Sequence, residues 1–304
     1  MTVFFVTGGL WQGRPQWYDT DSYSLETEVF FMLKTRVKTA AVLTVIVLAV
    51  LYFSYIPLVW RLFCAFLACV AVWELFAPVG QEEHVWLHAA IGWAAALTLT
   101  LVPIARYALV FALPVFVAGC GVFAWLMARL GTYTLDRPWK MLSLSVITSV
   151  FFGALACLRM QPQGLLHVLL CLAVCVSTDT TAYFVGRAWG KKKIAPRISP
   201  HKSVAGCVGG LAGCLVLVGL LSWAASAVTG AAVRWAALLP YLPLASVIAQ
   251  FGDFSLSAVK RTVGIKDYGN LMPGHGGVLD RFDSLLFVTP FTLLWCTFLG
   301  GLFQ

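Results

Sequence analysis

Residues 252–283 read GDFSLSAVKRTVGIKDYGNLMPGHGGVLDRFD, gathering Asp253, Asp267, Asp280 and Asp283 with Lys260, Arg261, Lys266 and Arg281 around a glycine-rich loop. Apolar sequence leads into this stretch over 236–255 and away from it over 284–303. About 20 apolar residues are what an α-helix needs to cross a bilayer, so the stretch reads as a polar connection between two spanning helices. The rest of the chain fits that reading. Its 304 residues are 60% hydrophobic and 11% charged, with a mean hydropathy of +0.86, which excludes an ordinary soluble domain. The fold class expected is an all-α polytopic integral membrane protein. A chain this sparing with charge does not usually gather so much of it for packing. Carboxylates, cations and a glycine loop together suit metal-assisted phosphate chemistry.

Nine apolar spans are expected, at 39–56, 58–76, 86–104, 108–128, 141–158, 165–186, 204–228, 236–255 and 284–303. With a cytoplasmic N-terminus, sixteen basic residues fall inside, against three outside, or four with Arg61. That is a strong positive-inside bias. It explains the net charge of +8 by topology, without a nucleic-acid partner. The nine cysteines form no CxxC pair and no set of Cys and His ligands, so they read as small buried apolar residues. Residues 1–31 lack the basic start of a signal peptide. Met32 then opens Leu33-Lys34-Thr35-Arg36-Val37-Lys38 just before the first span. Residues 1–31 are therefore expected to be an N-terminal extension with a mis-set start, and residues 32–304 a single membrane domain.

Gln250, Asp253, Ser257 and Lys260 share one face of a helix, because their offsets of 0, 3, 7 and 10 follow the helical period. An intramembrane acid there faces a cavity or a partner; the plain alternative is an Asp–Lys pair that ties helices together. Asp280 and Asp283 lie three apart at the start of the last span, where capping explains one acid and leaves the other for a cation. Two such aspartates with Asp253 suit Mg²⁺, which takes few carboxylates and keeps water and substrate phosphate as its other ligands. Consecutive glycines around His275 let backbone N–H groups approach phosphate oxygens. Upstream, Asp179, Tyr183 and Gly186 share a face of the sixth span, followed by the basic run Arg187 to Lys193 and by Ser199-Pro200-His201-Lys202-Ser203. The run is not a P-loop, since its glycines are too close and Lys192 stands where Ser or Thr must follow the lysine. The basic run alone fits a topogenic role equally well. Glu74 is a further intramembrane acid with no partner legible in the sequence.

Together these residues resemble a known signature. Ser257-x-Val259-Lys260-Arg261-x4-Lys266-Asp267-x-Gly269-x3-Pro273-x-His275-Gly276-Gly277-x2-Asp280-Arg281-x-Asp283 is similar to that of the phosphatidate cytidylyltransferases, or CDP-diacylglycerol synthases. The family's upstream block also has its likeness here, from Asp179 to Ser203, and Met32-Leu33-Lys34-x-Arg36 resembles its usual N-terminus. Two positions depart from the pattern: Met272 replaces a usual Ile, Leu or Phe, and Ala205 replaces a usual Glu.

The resemblance implies transfer of a cytidylyl group from CTP to phosphatidic acid, in a multi-pass inner-membrane homodimer whose site faces the cytoplasm. It implies Asp253, Asp280 and Asp283 as Mg²⁺ ligands, with a second cation as a further candidate. Lys260, Arg261, Lys266, Asp267, His275 and Arg281 are the implied catalytic group. Asp179, Arg187, Lys191, Ser199, Lys202, Ser257, Gly276 and Gly277 are the implied substrate contacts, and the lipid tails enter from the bilayer. Two other readings are open at this point: a relative acting on isoprenoid-ether lipids or polyprenols, and a transporter using Asp179, Asp253 and Glu74 as relay sites. Transporters often carry repeated halves, which this chain lacks.

Overall fold

A computed structural model describes residues 37–79, 85–101, 121, 137–269, 271–272 and 276–304. The expected extension and start at Met32, the fourth expected span apart from residue 121, and His275 lie outside them. Among the described residues there are eight α-helices: α1 (Val37–Phe53), α2 (Pro57–Phe76), α3 (Val85–Leu101), α4 (Arg137–Arg159), α5 (Gly164–Trp189), α6 (Val204–Thr229), α7 (Trp235–Val263) and α8 (Leu279–Phe298). Five of the described helices, α2, α4 (from Leu142), α5, α6 and α7, are long and apolar enough to cross a bilayer, while α1 and α3 are shorter apolar helices. The helices fall close to the expected spans, with two informative differences. Helix α7 runs on to Val263, carrying Ser257 and Lys260 past the apolar segment. Helix α8 begins at Leu279, so Asp280 and Asp283 lie inside it, and Asp283 is not its N-cap.

The one sheet among the described residues was not expected from the sequence. It is an antiparallel hairpin of β1 (Lys193–Ala195) and β2 (Ser199–Ser203), inside the basic run between α5 and α6. Ser203 ends the hairpin and caps α6, its hydroxyl accepting from Gly206 N at 3.1 Å.

Two helix groups meet. Helices α2, α3 and α4 pack on one another; α5, α6, α7 and α8 form the second group, and α4 joins the two by packing on α8. Small residues on α6 allow close approach to α5, as in other membrane helix pairs: a Cβ on Gly206 would lie 2.8 Å from the carbonyl oxygen of Ala182. Tyr241 (α7) is fully buried, stacks on Phe291 (α8) with centroids 5.7 Å apart, and shares a 2.7 Å hydrogen bond with Thr292. Phe287 meets Phe151 at 5.0 Å and Phe251 at 5.6 Å, which locks α4, α7 and α8 together. At the far end, the last residues fold back. Ala232 and Gln304 exchange backbone hydrogen bonds of 2.8 and 2.9 Å, and buried His167 accepts from Leu302 N at 3.1 Å.

Candidate functional site

The polar face of α5 opens onto a cleft of about 490 Å³ lined by Asp179, Tyr183, Gly186, Arg187, Lys193, Lys202, Gln250 and Asp253, among others. Helical periodicity brings Asp179, Tyr183 and Gly186 to it from α5, and Gln250 and Asp253 from α7, as the spacing predicts. The hairpin closes one side. Its Lys202 forms an ion pair with Asp253, and the same ammonium sits 4.2 Å from the centre of the Phe254 ring. Ser257, one turn on, donates to the other Asp253 oxygen at 3.3 Å. Arg187 donates to the Tyr183 hydroxyl at 3.3 Å, and Gln250 reaches the Cys207 carbonyl at 3.3 Å. The cleft is thus cationic at its rim and acidic at its floor.

A second cavity of about 290 Å³ lies between α1, α5 and α8. Its walls include Leu43, Val47, Leu172, Val176, Phe282 and Leu285, and its charged residues are Asp179, Arg281 and Asp283. Asp179 therefore lines both cavities, with Asp253 in one and Asp283 in the other.

Asp280 has a different setting. Its side chain is only 4% exposed, and it accepts from Lys260 Nζ at 2.9 Å, from Tyr268 N at 2.9 Å and from Gly277 N at 3.0 Å. Tyr268 in turn donates its hydroxyl to Leu256 O at 2.9 Å; burial, and then the charge of Asp280, push that phenol well above its ordinary pKa, so it stays a donor. Lys260 and Asp280 thus tie α7 to the start of α8, while the Asp–Lys pair that was the plain alternative for Asp253 is the one it forms with Lys202. The glycines also serve the loop itself. Gly276 sits at φ +85° and exchanges backbone hydrogen bonds of 3.0 and 3.1 Å with Met272, and Gly277 N is taken by Asp280. The N–H groups of Gly276 and Gly277 are therefore bonded within the loop.

Glu74 of α2 completes this arrangement. It is 2% exposed, and its two oxygens accept from Val278 N at 2.7 Å and Leu279 N at 2.8 Å. No side chain of α8's own N-cap does this. The sequence marks Glu74 as unusual, but its partner lies some 200 residues away and has no signal there.

Arg261 lines neither cavity; it bonds the Ile198 and Ile265 carbonyls at 3.2 and 3.3 Å, pinning the hairpin turn to the end of α7. Lys191, Lys266 and Asp267 are exposed, and Ser199 is half-buried at the start of β2.

A cation was expected on Asp253, Asp280 and Asp283. Among the described residues no three His, Cys, Asp or Glu side chains stand as a group able to enclose one. Both oxygens of Asp280 are held by protein donors, and so are those of Asp253, by Lys202 and Ser257, while Asp283 accepts from Ser284 N at 2.7 Å. Hard carboxylate oxygens supplied by fewer than three residues fit Mg²⁺, which fills its other positions with water and phosphate. Asp253 and Asp283, which lie with Asp179 in one electrostatic neighbourhood, offer oxygens of that kind, while Asp280 also holds the loop.

Residues 34–299 match the model of the Cytidylyltransferase family. A protein of Brucella abortus named phosphatidate cytidylyltransferase is 34% identical over 261 residues, 84% of this chain and 89% of that protein. The one of Thermotoga maritima is 32% identical over 278 residues, 88% of this chain and 98% of its own. The one of Bacillus subtilis is 40% identical over 161 residues, a match that spans 53% of this chain and 58% of that relative.

Proposed function

This chain belongs to the cytidylyltransferase family, and from that membership we propose that it transfers the cytidylyl group of CTP to phosphatidic acid, yielding CDP-diacylglycerol and pyrophosphate. The observation that carries the reading is the pair of cavities meeting at Asp179, one polar with a cationic rim and one largely apolar with Arg281. The first suits a nucleoside triphosphate; the second suits acyl chains with a phosphate at their head.

A phosphatidate oxygen attacks the α-phosphorus of CTP; the bond from that phosphorus to the bridging oxygen breaks, and pyrophosphate leaves. The lipid phosphate is already an anion near neutral pH, so the step needs little help from a base. Its cost is repulsion between two polyanions and charge build-up on the leaving group. Lys202, Lys193 and Arg187 at the cleft rim offset the triphosphate charge, and Arg281 meets the lipid phosphate. Mg²⁺ held by Asp253 and Asp283 would supply further neutralisation of phosphate charge. Lys260 acts through Asp280 by holding the loop, and a nucleotide contact by His275 is carried forward from the family resemblance.

In this reading the chain crosses the cytoplasmic membrane nine times with its N-terminus and site in the cytoplasm. The asymmetry of basic residues and the supply of CTP support that orientation. The homodimer is carried forward on the family resemblance alone. The test is pyrophosphate release by purified, detergent-solubilised protein: the reading expects it to require CTP, phosphatidic acid and Mg²⁺ together. Release from CTP without the lipid would count against it.

A further inference from the structure

We propose that Glu74 is a positioning residue that sets the first turn of α8, and through it Asp280 and Asp283, for the reaction. The proposal rests on the cytidylyl-transfer reading for its kinetic part only. The first N–H groups of any helix lack partners within the helix and carry its positive end. In α8 two of them, at Val278 and Leu279, are taken by one carboxylate, oxygen by oxygen, from a helix of the other group. These charge-assisted bonds are of the strong kind and fix both position and direction. Asp280 follows directly after this pair and Asp283 one turn later, so a shift in the first turn moves both acids.

The chain is shaped around that carboxylate. A Cβ on Gly277 would lie 2.5 Å from Glu74 Oε1, and a Cβ on Gly269 would lie 2.8 Å from the same oxygen. Both glycines stand in the signature loop, and the closeness of Glu74 is a reason for their size that phosphate contact does not provide. Glu74 and Asp280 hold the loop from opposite sides: Asp280 takes the N–H of Tyr268 and Gly277, Glu74 those of Val278 and Leu279. Glu74 itself lines neither site cavity; it borders a separate apolar groove with Trp73 and Trp93. Its influence on the reaction is therefore indirect.

The experiment compares the full chain with Glu74→Gln in detergent, by hydrogen–deuterium exchange and by steady-state kinetics. Exchange at Val278 and Leu279 is expected to quicken about tenfold while α5 and α6 keep their protection. Partners that orient metal ligands typically matter 10–100-fold, so kcat is expected to fall about tenfold and the Mg²⁺ needed for half-maximal rate to rise, with the KM for phosphatidate unchanged. Unchanged exchange overturns the anchor. Faster exchange with wild-type kcat and Mg²⁺ dependence leaves a cap without a positioning role and overturns the proposal too. Should Glu74→Gln fail to fold, Gly277→Ala is compared alone and with Glu74→Asp. The shorter acid is expected to recover part of the lost exchange protection, and additive losses contradict the contact. Absence of CDP-lipid formation by the wild-type chain would sink the functional reading but leaves the exchange result standing.

Discussion

Gly252 of α7 and Asp283 of α8 meet backbone to backbone: a Cβ on Gly252 would lie 2.7 Å from the Asp283 carbonyl oxygen and 2.8 Å from the Phe287 ring. The approach occurs one residue before Asp253, so the same glycine that lets the helices touch brings the two acids into one electrostatic neighbourhood. Gly252→Ala must push α7 and α8 apart by some tenths of an ångström, an overpacking that costs about 1–3 kcal/mol. Its expected outcome is a lower melting temperature and an activity loss of about tenfold or more, with Gly252→Val worse. Equal activity across Gly, Ala and Val would show that the spacing does not matter.

Asp280 and Asp283 look alike in the sequence and differ in the structure. Asp280→Asn keeps the shape but gives up the charge held by Lys260 and by two backbone N–H groups, so loss of stability of about 2 kcal/mol or more is expected with the loss of activity. Asp283→Asn is expected to lose activity about 100-fold with little change in melting temperature and a weakened response to Mg²⁺. Thermal unfolding of the two proteins with and without Mg²⁺ separates the roles.

Lys202 and Asp253 pair within the cleft proposed for the nucleotide. Removing the cation leaves a carboxylate without its partner and a triphosphate with less compensation. Lys202→Met is expected to raise the KM for CTP about tenfold, more than the KM for phosphatidate, and Lys202→Arg to lie between. Initial rates over a grid of both substrates give the comparison.

Arg281 is the cation of the largely apolar cavity. Arg281→Ala is expected to raise the KM for phosphatidate about tenfold while the KM for CTP stays within about twofold. The reverse pattern would assign Arg281 to the nucleotide.

Much of this was legible because period and charge are local signals. The polar faces of α5 and α7 follow from offsets of three, four and seven residues, and the span limits follow from hydropathy. The helical period carried the end of α7 to Lys260 beyond its apolar span, whereas the start of α8 was set too late because a charged turn precedes the apolar segment, where hydropathy says nothing of helix continuation. The hairpin over 193–203 was hidden in a basic run that reads equally well as a topogenic loop. The different fates of Asp280 and Asp283 depend on Lys260, Tyr268 and Gly277 converging in space. The fate of Glu74 depends on a contact across the length of the chain. Neither has a periodic signature.

The central claim is tested most directly by mass spectrometry of lipid extracted after purified protein is incubated with CTP and phosphatidic acid, with Mg²⁺ or with excess chelator. CDP-diacylglycerol formed in step with pyrophosphate, and only with Mg²⁺ present, is the predicted result. A folded protein that yields no CDP-lipid, or yields it equally well in chelator, would contradict the account.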